Sequence, residues 1–189
     1  MKWIPFAISF VLTLCISAEE SVGALTGLEL PNDDKIVYRI AQKGDNQKGV
    51  VVKLGIGHVF VAVKEPEHMT IGIMETFAPY NVELAPENKA IIEFVKSKIP
   101  WWKKGQSKMI ACIYNVFINE NYRQQGVGSK LVKAALKDIK AKWSKMRAAF
   151  LLVKKDNAPA IALYKKLKFK DLNAKDLVEE DYALYAYYY

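Results

Sequence analysis

Seven consecutive residues, Arg123-Gln124-Gln125-Gly126-Val127-Gly128-Ser129, have the makings of a phosphate cradle. Where such a run opens a helix, the first N–H groups have no internal partner and the helix dipole adds partial positive charge. Two glycines let the backbone approach a ligand with no Cβ in the way. The combination suits a diphosphate. A glycine pair after a strand can also be a plain tight turn, so the loop alone leaves both uses open. Residue order excludes two nucleotide chemistries. A Walker loop needs Gly-Lys-Ser/Thr, and Gly128-Ser129-Lys130 has the wrong order. The Rossmann fingerprint needs a third glycine and an acidic residue at the end of the next strand, and neither is present.

The flanking residues supply the elements that must hold this loop. Residues 109–118 are apolar, β-branched and aromatic, which predicts a buried strand. After the loop, Leu131, Ala135, Leu136 and Ile139 share one helical face and the lysines fall mostly on the other. Residues 148–153 are continuously apolar, as in a strand buried on both faces. Two strands joined by one helix are expected to be parallel, with a right-handed crossover. Residues 158–167 follow as a helix, and residues 181–189 alternate as a last strand.

The run from Asn121 to Leu131 resembles the Arg/Gln-x-x-Gly-x-Gly/Ala loop of the GNAT superfamily of N-acetyltransferases. Downstream, residues 152–169 are similar to that family's second signature: a strand, Asn157, a helix carrying Ala160-Ile161-Ala162-Leu163-Tyr164, and Lys168-Phe169 in place of Gly-Phe. The resemblance covers roughly the C-terminal half of the chain. It implies an α/β fold (an α+β mixed sheet) with antiparallel N-terminal strands and a parallel central pair flanked by helices. It also implies acetyl-CoA as co-substrate and a primary amine as acceptor.

In such enzymes the amine attacks the thioester directly, which needs a neutral amine, a stabilised oxyanion and an acid for the departing thiolate. By resemblance, the N–H groups of Gln125, Gly126, Val127, Gly128 and Ser129 hold the diphosphate. Arg123 and Gln124 open the loop, and backbone near Phe117 and Ile118 pairs with the pantetheine arm as an added strand. Asn157 matches a cofactor-contacting asparagine, and Tyr164 matches the tyrosine that many members use as acid toward the CoA sulfur. Some members place a glutamate base where this chain has Cys112 or its neighbours. Glu75 is the nearest carboxylate candidate, with a water chain as alternative. Two non-enzymatic readings stay open: a CoA-binding module without catalysis, and a basic secreted interaction protein.

The chain has 189 residues, 51% hydrophobic and 25% charged, enough for one α/β domain with a full core. A net charge of +8 means either a lysine-coated surface or attraction of an anion such as CoA. No motif points to nucleic acid. His58 and His68 lack a second ligand at metal spacing, and no metal is expected.

At the amino terminus, Lys2, an apolar run to Ala18 and then Glu19-Glu20 resemble a secretory signal peptide over residues 1–18. A buried apolar strand or helix is the alternative. The run is short for a membrane span, so no stable span is expected. Cleavage would remove Cys15 and leave Cys112 alone, so no internal disulfide would mark an oxidising compartment. Export therefore sits in tension with an intracellular acetyl donor. Delivery into a host cell or an organelle lumen would resolve it, as would an uncleaved segment in a cytoplasmic protein.

Residues 19–34 read as a linker or arm, and residues 35–189 as the domain. Strands are predicted at 35–42, 49–54, 58–64 and 70–77. Two departures from the family pattern lie on the substrate side. Residues 43–57 are too short and glycine-rich for the usual early helices, and residues 78–108 form an insertion. Within it, residues 87–98 are helical in pattern. Trp101 and Trp102 are expected to pack that helix on the sheet, with a lid over the acceptor pocket as the alternative.

Overall fold

A computed structural model of the chain describes residues 35–45, 57–81, 83, 86–100, 102 and 109–189. These fall in one of two units, Asp34–Tyr189; the other, Met1–Asp33, holds none of them. The expected signal peptide and arm therefore lie outside the described residues, as do the strand expected at 49–54 and Trp101.

The apolar alternating runs form strands β1 (Ile36–Ile40), β2 (His58–Lys64), β3 (Met69–Phe77), β4 (Met109–Ile118) and β5 (Met146–Lys154). The sheet is completed by β6 (Lys170–Asp171), too short to show in the sequence pattern, and β7 (Tyr182–Tyr188). Helices are α1 (Lys89–Ser97), α2 (Val127–Lys142) and α3 (Ala158–Lys166). One seven-stranded mixed sheet runs β1-β2-β3-β4-β5-β7-β6. Among the described strands only β4 and β5 pair in parallel, as the single-helix connection requires; the other neighbours are antiparallel.

The helices cover the sheet because their apolar residues fall on one side. α2 buries Val127, Leu131, Val132, Ala135, Leu136 and Ile139. They pack with Phe60, Ala62, Ile71, Met74, Ala111 and Ile113 of β2–β4, and with Tyr164 and Leu167 at α3. On the opposite face, α1 sets Ile91, Ile92 and Val95 against Ile110, Ala148, Phe150 and Leu184. The insertion thus does supply a helix on the sheet. Of its two tryptophans the described one, Trp102, is 68% exposed, so it is not the buried anchor expected. The anchoring expected of it is supplied by the aliphatic face of α1.

Two irregularities set the shape of β4. Its pairing with β5 ends at Cys112↔Phe150, so residues 113–118 pair with β3 alone and present a free edge. Against β3 the register slips between Glu75↔Asn115 and Thr76↔Ile113, which leaves Tyr114 as the extra residue of a β-bulge.

Candidate active site

The glycine loop is built from the end of β4 outward. Asn119 accepts a hydrogen bond from the Asn121 N–H (3.1 Å) and starts a 3-10 turn over Glu120–Tyr122. The Arg123 Nε–H then donates back to the Ile118 carbonyl (3.0 Å), and its guanidinium lies 3.5 Å from Glu120. Arg123 therefore ties the loop to the strand that precedes it. Gln125 donates through Nε2 to the Asn121 carbonyl (2.8 Å). Gln124 and Gly126 both take left-handed backbone, φ 61° and 80°.

Gly126 is the N-cap of α2, and no side chain caps the helix there. Its carbonyl accepts from the Lys130 N–H (3.1 Å), so the helix starts at once and its first N–H groups face outward. A Cβ on Gly126 would meet nothing within 4 Å: the space above the N-terminus is open. A Cβ on Gly128 would lie 3.5 Å from Ile118 and 3.6 Å from Leu163, ordinary contact distances. β4, α2 and α3 thus converge at Gly128. An open, uncapped, glycine-lined N-terminus is the geometry a diphosphate fits.

The free edge of β4 runs toward this loop. The Asn119 N–H donates to the Ile71 carbonyl (2.9 Å), so Asn119 faces β3. Backbone groups alternate along a strand. Phe117 therefore faces β3 as well, while Val116 and Ile118 turn theirs to the open side. Of the two residues the sequence singles out, Ile118 lies on the open edge and Phe117 does not; Val116 takes its place. The Ile118 carbonyl is occupied by Arg123, which leaves the Ile118 N–H and both Val116 groups facing outward. Gly72 sits directly across from Ile118, where a Cβ would come within 2.7 Å of the Ile118 side chain.

Tyr164 comes after Leu163 on α3 and is only 7% exposed, its ring 5.4 Å from Phe169. Burial pushes its phenol up to about 12, so it stays protonated at neutral pH. Asn157 is the N-cap of α3, its Oδ1 accepting from the Ala160 N–H (3.2 Å). Glu75 lies on the sheet face opposite α2 and accepts from Asn115 Nδ2 (3.0 Å). Tyr164, packed in the cluster with α2, and Glu75 therefore lie on opposite faces of the sheet. Burial pushes the Cys112 thiol up to about 12, which suits packing rather than nucleophilic attack.

Beside Glu75 the bulge turns Tyr114 outward, 47% exposed. Its ring approaches Phe77 (6.0 Å), Phe77 approaches Tyr80 (6.2 Å), and Tyr80 approaches Phe150 (5.7 Å). This aromatic row borders the place where β4 and β5 part. The sequence pattern does not single out Tyr114. Its one local signal is Asn115, a polar residue inside an apolar run, which marks the slip in register.

Neither histidine belongs to the site. His58 meets Trp143 edge-on at 4.8 Å and Lys142 Nζ at 3.1 Å; His68 contacts Glu65 at 2.8 Å. Among the described residues no group of three His, Cys, Asp or Glu could hold a metal ion, and no helix is long and apolar enough to cross a membrane.

A strand-loop-helix cradle beside a parted parallel pair defines a class, and comparison with known proteins gives it a family. Residues 58–169 match the model of the acetyltransferase (GNAT) family. The chain belongs to that family. Among curated relatives, an N-alpha-acetyltransferase of Sulfurisphaera tokodaii is 28% identical over 87 residues, 43% of this chain and 52% of that one. The mycothiol acetyltransferase of Corynebacterium glutamicum is 38% identical over 68 residues, 36% of this chain and 23% of that one. The match therefore spans about half the length of the first relative and about a quarter of the second. Among solved structures, Arabidopsis thaliana NAA60 in complex with acetyl-CoA superposes with a TM-score of 0.59 at 18% identity, covering 82% of this chain and 100% of that one. That likeness is one of fold.

Proposed function

We propose that the protein is an N-acetyltransferase that moves an acetyl group from acetyl-CoA to a primary amine by direct attack in a ternary complex. The observation that carries this reading is the continuity of the uncapped Gly126 cradle with the free edge of β4. A diphosphate and an extended thiol arm are the chemical parts that such a path accommodates. Bound there, acetyl-CoA supplies an activated acyl thioester. The N–H groups of Gln125 to Ser129 would hold its diphosphate, and Val116 and Ile118 its arm. Family membership and the acetyl-CoA bound by Arabidopsis NAA60 support the choice of co-substrate.

The chain's own residues then divide the work by face. The cradle lies on the α2 side, so the acceptor reaches the cleft from the opposite face, past Glu75 and Tyr114. Glu75 takes the proton that the ammonium must lose. The open β4 edge beyond Cys112 offers N–H groups to developing negative charge. Tyr164, protonated at neutral pH as a phenol is, donates to the leaving sulfur from the α3 side.

Isothermal titration of acetyl-CoA into the full chain, with CoA release monitored on a mixed panel of amines, tests the proposal. Binding with release on at least one amine is expected. Binding without release on any amine tried would favour a CoA-binding module, and no binding by folded protein would remove the cofactor assignment.

A further inference from the structure

α2, the end of α3 with the turn after it, and the carboxy-terminal residues line a half-open cavity of about 460 Å³ that shares no residue with the glycine cradle. Five lysines line it: Lys133, Lys137 and Lys140 from α2, then Lys166 and Lys168. Its apolar lining includes Leu136, Leu167 and Tyr187, and none of the lining residues is acidic. Lys140 is engaged, donating to the Ser144 and Met146 carbonyls (2.6 and 2.9 Å). Among the described residues, Lys133, Lys137, Lys166 and Lys168 form no ion pair.

Two features here run against stability. Lys133 and Lys137 stand one helical turn apart on the same face and repel each other. Lys168 adopts φ 67°, backbone that glycine takes freely and an L residue does not. The helix dipole rewards Lys140 and Lys166, which lie in the last turns of α2 and α3. It offers little to Lys133 or Lys137 in the middle of α2, and nothing to the strained Lys168. Lys133, Lys137, Lys166 and Lys168 stand exposed around the cavity, and an anion among them would offset both features. The volume falls within the roughly 300–1,000 Å³ of small-molecule sites, and the half-buried Tyr187 suits a planar ring.

We propose that this cavity is a second ligand site, for a nucleoside polyphosphate: phosphates to the lysines, ring to Tyr187. It is distinct from the cradle, since no lining residue belongs to the loop and Lys133, the nearest to it along α2, stands about 9 Å from Val127 at 1.5 Å per residue. It does not rest on the acetyltransferase reading.

The test titrates ATP, and separately inorganic triphosphate, into the full chain with and without saturating acetyl-CoA. ATP is expected to bind in both conditions, more tightly than triphosphate, and to weaken as salt rises. The K133E/K137E double variant should lose at least about tenfold in ATP affinity while acetyl-CoA affinity stays within about twofold. Lys168→Gly should lower ATP affinity yet raise the melting temperature, whereas a purely structural lysine would move the melting temperature alone. Four outcomes overturn the proposal: no ATP binding, ATP binding abolished by acetyl-CoA, ATP affinity unchanged in either variant, or triphosphate binding as tightly as ATP.

Discussion

Tyr164 shows how one side chain can be read from its environment. A Leu-Tyr pair inside a helix is ordinary core, and this tyrosine is indeed buried and stacked on Phe169. A phenol at its ordinary value near 10 is already protonated at neutral pH, and burial, which raises Tyr164 to about 12, keeps it so. As a donor to a departing thiolate it is available across the whole neutral range. Tyr164→Phe is therefore expected to lower kcat by about a hundredfold to ten-thousandfold, in keeping with loss of a general acid, while acetyl-CoA affinity holds. Steady-state turnover beside a binding titration checks it. Equal turnover in the variant would sink the acid assignment. Tyr164 is legible in the chain because its motif is local. Tyr114 is not, because its exposure arises from a slip against another strand, and a register is a relation between two segments.

At the scale of elements, the junction of β4 and α2 separates fold from binding. Gly126 needs left-handed backbone, yet a Cβ there would touch nothing within 4 Å. Gly126→Ala should cost about 1 kcal/mol of stability from the backbone alone. Its methyl would also stand in the cradle, so acetyl-CoA affinity should fall by about tenfold or more, beyond what the stability loss explains. Gly128→Ala has ordinary backbone and ordinary contacts to Ile118 and Leu163. It should fold normally and keep most of its affinity. Denaturant melts with parallel titrations distinguish the two variants. Equal affinity in Gly126→Ala and wild type would argue against a diphosphate at this N-terminus. The helix end at Lys168 carries a related lesson. The sequence predicts a lost glycine there, and the structure answers by placing the lysine itself at φ 67°, with its N–H donating to the Lys165 carbonyl (2.9 Å).

For the whole molecule, stability depends on pH through His58, which joins the start of β2 to the end of α2. Burial first, and the nearby Lys142 second, hold its imidazole below the usual 6.5. The native state therefore binds its proton less readily than the unfolded chain does. That contribution is fully present above about pH 6.5 and is lost as pH falls toward the lowered native value. The melting temperature should drop between about pH 7.5 and 5.5, and drop less in His58→Asn. Calorimetric scans of both proteins across that range decide it. An identical pH slope in the two would show that His58 does not carry the effect.

What the chain determines unaided is local: the order of strands and helices, the glycine loop between β4 and α2, and the parallel sense of β4 and β5. Each depends on the periodicity or backbone freedom of adjacent residues, or on one short connection. Tertiary structure decides where β4 and β5 part company, that the Ile118 backbone turns to the open edge of β4 and that of Phe117 to β3, and that Trp102 stays exposed while α1 packs. It alone brings lysines from α2 and from the turn after α3 to one cavity beside Tyr187. Those arrangements depend on distances between residues far apart in the chain, and side-chain periodicity within a segment carries no information about them.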